Sequence, residues 1–99
     1  MATGIGQIDE VIHGRMRLGI MVYLAENDVA EFNELKRVLE ATQGNLSIHL
    51  RKLEEAGYVE IEKTYAGRKG LTRVHLLPKG RKAFAFYVEA LAGLLGKGP

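Results

Sequence analysis

The sequence predicts one small α+β domain built in the order helix, helix, helix, β-hairpin, helix. Apolar residues recur at helical spacing as far as residue 56, switch to alternation over 59–76, and return to helical spacing after Pro78. The chain has 99 residues, 46% hydrophobic and 26% charged, which suits one globular core and is unlike a disordered chain. Repeats, low-complexity tracts and linkers are absent, so residues 1–99 read as a single domain. With no cysteine, disulfides, thiolate metal sites and cysteine nucleophiles are excluded together.

A first helix is expected from about Gln7 to Ala25, where Ile8, Val11, Ile12, Leu18, Val22 and Leu24 fall broadly on one face. Glu26-Asn27-Asp28 ends it, and Val29-Ala30 is at most a short extended piece. Phe32, Leu35, Val38 and Leu39 mark a second helix of about nine residues. Ala41-Thr42 then turns the chain into a third helix, 43–56. The Thr42 hydroxyl suits an N-cap, because it accepts from an amide that the helix leaves unpaired. Gly57 suits the left-handed residue that closes a helix, and Tyr58 follows as its hydrophobic closure.

Val59, Ile61 and Lys63 alternate with Glu60, Glu62 and Thr64, and alternation resumes over Leu71–Leu76, giving a hairpin over 59–76. Ala66-Gly67-Arg68-Lys69-Gly70 is its expected tip. Pro78 opens the last helix, 78–95, proline being suited to the first helical position.

On a helical projection of the third helix, Leu46, Leu50 and Leu53 form the stripe that packs inward, with His49 and Ala56 at its edge. The opposite face carries Gly44, Ser47, Ile48, Arg51, Lys52 and Glu55, with Asn45 beside them and Gln43 in the first turn. These are side chains suited to base edges. Asn and Gln pair with adenine, Arg and Lys with guanine, and an exposed apolar group meets the thymine methyl. Ile48 pointing away from the core needs a reason. Gly44 costs about 1 kcal/mol of helix propensity yet lets a helix N-terminus approach a phosphate closely. Singly, each polar residue reads better as an ordinary solvated position; together with a short preceding helix, a Thr cap and a basic hairpin they favour nucleic acid.

The run from Thr42 to Val59, TQGNLSIHLRKLEEAGYV, resembles the recognition helix of winged helix-turn-helix transcriptional regulators of the MarR/ArsR kind. The resemblance continues through Glu62–Leu76 and Pro78-Lys79-Gly80-Arg81, and more weakly over Phe32–Leu39. It implies a winged-helix fold with three helices, a two-stranded wing (59–76) and a long C-terminal dimerisation helix (78–95). It also implies a dimeric DNA-binding repressor or activator whose third helix enters the major groove. The groove-facing positions would be Gln43, Asn45, Ser47, Ile48, Arg51 and Lys52. Leu77 departs from the family pattern, which usually has Thr or Ser there as a cap. Such a loss costs about 0.5–2 kcal/mol, so the last helix starts less firmly or is held by packing.

The net charge of +2 hides an asymmetry: −3 over residues 1–42 and +5 over residues 43–82. From Lys63 through Val88 there are seven basic residues and no acidic one, a localised positive surface for an anionic partner. Lys63, Arg68, Lys69 and Arg73 lie on or beside the hairpin tip and, with Thr42, are the expected phosphate contacts. Hairpin tips also carry charge for solubility, but here every tip charge has one sign. Tyr65 at the tip base suits either stacking on a sugar or covering the core, and covering the core is favoured.

The last helix contains AFAFYVEALAGLL, with Glu89 its only charge. Phe84, Tyr87, Val88, Leu91, Leu94 and Leu95 form one stripe, and Phe86 and Ala90 begin a second. A helix apolar nearly all round has to be covered on more than one side. A second copy is the simplest cover, with Ile8 and Ile12 of the first helix joining that stripe at a two-fold interface. Two recognition helices about 34 Å apart would then match one turn of a palindrome. The competing expectation is a monomer whose last helix packs into its own core.

His13, His49 and His75 lie in separate elements without metal-ligand spacing, so no metal and no cofactor is expected. No nucleophile–base arrangement or carboxylate pair is recognisable, and an enzyme is not expected. Gly4-x-Gly6 and Gly67–Gly70 lack the strand–glycine–helix context of a phosphate-binding loop. The segment MATGIGQIDE lacks the pattern of a signal peptide, and no stretch is long enough to span a bilayer, so a cytoplasmic protein without membrane attachment is expected. A small-molecule effector is compatible with the sequence, but no polar cluster locates it. The alternatives from other classes are a protein-interaction adaptor using the apolar last helix, and an RNA-binding module, disfavoured by the lack of an aromatic platform.

Overall fold

The computed structural model describes residues 4–96. After a 3-10 turn at Ile5–Gln7 come α1 (Arg15–Asn27), β1 (Val29–Glu31), α2 (Phe32–Val38), α3 (Gln43–Glu55), β2 (Val59–Ala66), β3 (Lys69–Leu76) and α4 (Pro78–Leu94). The three strands form an antiparallel sheet in the order β1-β3-β2. It is the expected α+β architecture with a third strand added. Val29-Ala30 pairs with His75 and Val74 along the free edge of β3, a long-range partner that three residues cannot advertise.

The core gathers Ile20, Met21 and Leu24 of α1, Leu35 of α2, Leu46, Leu50 and Leu53 of α3, Val59 and Val74 of the sheet, and Tyr87 of α4. The hairpin runs past this core: on β2 Val59 is buried and Ile61 and Thr64 half-buried, while Tyr65 is 76% exposed and does not cover the core as expected. The radius of gyration is accordingly 14.7 Å, above the ~13 Å of a compact chain of this length.

The first helix differs from expectation. Ile8, Val11 and Ile12 keep helical spacing but lie in a non-helical segment before α1. Asp9 builds that segment: its Oδ1 accepts from the Val11 amide at 2.8 Å and the Ile12 amide at 3.3 Å, while its Oδ2 accepts from the Tyr58 hydroxyl at 2.5 Å. Carboxylate capture of nearby amides competes with helix in this way. Gly14, extended at φ −173°, then starts α1. The segment still reaches the core, and Ile12 is fully buried.

Between α2 and α3 the chain turns through Glu40 at φ +53°, with the Ala41 amide bonded to the Lys36 carbonyl at 3.0 Å. This tight reversal makes a helix-turn-helix pair. At the other end of α3, Gly57 sits at φ +83° as expected. No side chain caps α4 at Leu77; packing holds its first turn instead. The Leu77 amide donates to the Tyr58 carbonyl at 3.0 Å, and Gly80 lies so close that a Cβ there would fall 2.2 Å from that oxygen.

Candidate nucleic-acid interface

The Thr42 hydroxyl accepts from the Asn45 amide at 3.1 Å, fixing where α3 begins. Leu46, Leu50 and Leu53 anchor one face of the helix in the core, which turns Gln43, Gly44, Asn45, Ser47, Ile48, Arg51, Lys52 and Glu55 to solvent. Ile48 is 59% exposed, and nothing lies within 4 Å of where a Gly44 Cβ would be. The structure therefore brings all the expected α3 positions onto one accessible surface with donors, acceptors and an apolar tip.

One flank of this surface was not singled out by sequence. Arg17 of α1 donates from Nη1 to His49 Nδ1 at 2.9 Å and also reaches the Val11 and Glu10 carbonyls. His49 is thereby tied to the segment before α1. Burial, then the neighbouring Arg17 and Lys52 charges, push its pKa below the usual 6.5. The only hint in the sequence is a histidine at the edge of an apolar stripe.

The hairpin closes through a two-residue loop, Gly67-Arg68, with Gly67 at φ +66°. The tip is shorter than the expected five residues, because Ala66 pairs with Lys69 and Tyr65 with Gly70. Register separates the four basic residues. Lys63 lies on the sheet face of Val59 and Ile61, which packs on α3, but beyond the core. Arg68 is at the apex, and Lys69 follows on the opposite face. Lys63, Arg68 and Lys69 are exposed. Arg73 differs: it is half-buried at the hairpin base, opposite Glu62 on one side and Glu31 on the other. Neither carboxylate forms an ion pair with it, but both place negative charge at cross-strand positions beside its guanidinium. Glu62 itself accepts a 2.9 Å contact from His75 Nε2. Past the hairpin, Arg81 pairs with Asp28 and the Lys79 ammonium lies 6.0 Å from the Tyr58 ring centroid, while Lys82 is exposed without a partner among the described residues.

The eight positions expected at a dimer surface divide. Ile12 and Tyr87 are buried inside the chain itself, and this corrects their placement. The Tyr87 hydroxyl meets His13 Nδ1 at 2.8 Å, so even its polar end is satisfied within the subunit. Ile8, Phe84 and Leu91 pack half-buried against the same core, and Leu94 lies beside Gly4. Val88 and Leu95 are exposed at 48% and 65%, and with them Phe86 at 54%. α4 therefore spends one stripe on its own core, with Val88 and Leu95 exposed on one flank of that stripe and Phe86 on the other.

Among the described residues no group of three or more His, Cys, Asp or Glu side chains is arranged to hold a metal, and no helix is long and apolar enough to cross a membrane.

The chain is similar to known proteins over most of its length. The family model described as a winged helix DNA-binding domain matches residues 16–95. An uncharacterized protein of Methanocaldococcus jannaschii is 38% identical over 85 residues, covering 86% of this chain and 92% of that protein. The structure of a transcriptional regulator homologue from Pyrococcus horikoshii OT3 superposes with a TM-score of 0.81 at 32% identity, over 89% of this chain and 87% of that one. At 19% identity, overoxidized AbfR bound to DNA shares the fold, with a TM-score of 0.75 over 92% of this chain and 69% of its own. With α3 displayed beside a basic hairpin and the family match spanning both, the chain belongs to the winged-helix DNA-binding domain family.

Proposed function

We propose that this protein is a dimeric transcriptional regulator that binds duplex DNA without chemistry, reading the major groove with α3 and touching backbone or minor groove with the hairpin wing. The observation that carries the reading is the solvent face of α3, where Gln43, Asn45, Ser47, Ile48, Arg51 and Lys52 stand together. Gln43 and Asn45 suit adenine, Arg51 suits guanine, and Ile48 suits a thymine methyl. Lys63, Arg68 and Lys69 supply phosphate contacts, with Thr42 adding a hydroxyl at the start of α3. Arg73, facing two glutamates, contributes least of the wing cations.

Two copies pair through α4 along the flank that carries Val88 and Leu95. The buried Ile12 and Tyr87 support that interface from behind. The protein works in the cytoplasm, where its DNA is.

Fluorescence anisotropy with labelled duplex tests the reading. A dimer neutralising about six phosphates with its wing cations loses roughly 10³-fold in affinity between about 50 and 200 mM salt. Sedimentation should return twice the 11.0 kDa subunit mass. No binding at tens of micromolar protein, even at the lower salt, favours instead a protein-interaction adaptor that uses the exposed apolar residues of α4.

A further inference from the structure

Beside the reading face, a half-open cleft of ≈ 670 Å³ separates the start of α1 from the N-terminal half of α3, with Arg15, Glu40, Asn45 and His49 among its walls. Arg15 and Arg17 both stand in the first turn of α1, and no acid accompanies them. Cations there oppose the helix dipole. Arg17 is accounted for by its bonds to two carbonyls and His49. The Arg15 side chain is exposed and makes no hydrogen bond or ion pair with any described residue.

His49 adds a second donor. An arginine only donates, so the 2.9 Å contact from Arg17 makes Nδ1 the acceptor. The neutral ring then carries its proton on Nε2. The Asn45 amide, one turn earlier on α3, is a third donor. Glu40 is the single acid among the lining residues, against the Arg15 cation and these two neutral donors.

We infer that this cleft seats an oxyanion, and that in the DNA complex the oxyanion is a backbone phosphate of the duplex that α3 reads. The inference rests on the proposed DNA-binding function and adds Arg15 and His49 to the contact surface. Asn45 borders both the cleft and the reading face, so a phosphate held here fixes how α3 lies in the groove.

Arg15→Ala and Arg15→Lys test it in the full chain by anisotropy over a salt series. Arg15→Ala should raise Kd roughly tenfold, equally on selected and random duplexes, and lower the log–log salt slope by about 1. Arg15→Lys should restore most of the loss, and the thermal midpoint of Arg15→Ala should not fall, because the wrong-signed charge is gone. Unchanged Kd and slope in Arg15→Ala, with wild type and wing variants behaving as proposed, overturn the inference and leave the DNA reading intact. If wild type binds no duplex, the DNA reading fails, and titration of the wild-type protein with inorganic phosphate followed by NMR decides the cleft. Shifts confined to Arg15, Asn45 and His49 then keep it as a seat for a free anion, and no shifts overturn it.

Discussion

Gly80→Ala probes the contact that holds α4 in place of a cap. A Cβ at Gly80 would lie 2.2 Å from the Tyr58 carbonyl oxygen and 2.9 Å from both its carbonyl carbon and Cα. These are backbone atoms, fixed by the Leu77 amide on one side and the Gly57 turn on the other. The chain has to open there. Overpacking of this kind costs about 1–3 kcal/mol, and loss of the Leu77–Tyr58 hydrogen bond about 1 kcal/mol more. Alanine returns about 1 kcal/mol of helix propensity. The net loss of about 1–3 kcal/mol corresponds to a fall of roughly 5–20 °C in the midpoint for a domain this size. Gly44→Ala is the control, because nothing lies within 4 Å of its Cβ; it should stabilise by about 0.5–1 kcal/mol. Thermal denaturation by circular dichroism compares the two. A Gly80→Ala midpoint at or above wild type would refute the claim that close packing on Tyr58 seats α4.

The Tyr58 phenol is pushed up to about 12 by burial first, then by its bond to Asp9 and the charge of Asp9. Its folded value exceeds the usual 10.0, so its contribution to stability is complete below pH 10 and is lost as pH rises toward about 12. Ultraviolet titration should show two phenols raised above 10.0, Tyr23 through its bond to Glu34 and Tyr58 at about 12; Tyr58→Phe should remove the latter, and a normal titration of Tyr58 would contradict its burial against Asp9. His49 has the opposite sign: its folded value lies below 6.5, so its contribution is complete above that pH and lost as pH falls through the folded value. His49→Gln keeps an acceptor for Arg17 without titrating, and its midpoint should fall less than wild type between pH 7 and about 5. Parallel declines would remove His49 as the cause.

Much of this fold was legible because local chemistry and packing agree. Thr42, the leucine stripe of α3 and Gly57 each give α3 the same limits, and alternation marks the hairpin. The split of the first helix was hidden because Ile8, Val11 and Ile12 satisfy helical spacing while packing from an irregular segment. What ended the pattern was Asp9, whose partner Tyr58 is 49 residues away. Tyr87 and Val88 are adjacent on an apolar helix, and only the fold tells which faces inward. For Arg73, sequence shows a basic residue near a basic tip, whereas strand register sets it between Glu31 and Glu62. The Arg17–His49 contact spans 32 residues and likewise had no local signal.

The central claim is that α3 reads bases while the wing holds phosphates. Selecting an operator from a random pool, then measuring two variants on selected and random duplexes, tests it most directly. Arg68→Ala with Lys69→Ala should weaken binding to both duplexes by the same factor and reduce the salt dependence. Gln43→Ala should lose about 1–3 kcal/mol on the selected duplex through relaxed preference at particular base pairs, with a smaller loss on random DNA. Equal losses on both duplexes for both variants would contradict that division, because α3 would then be only another cationic surface.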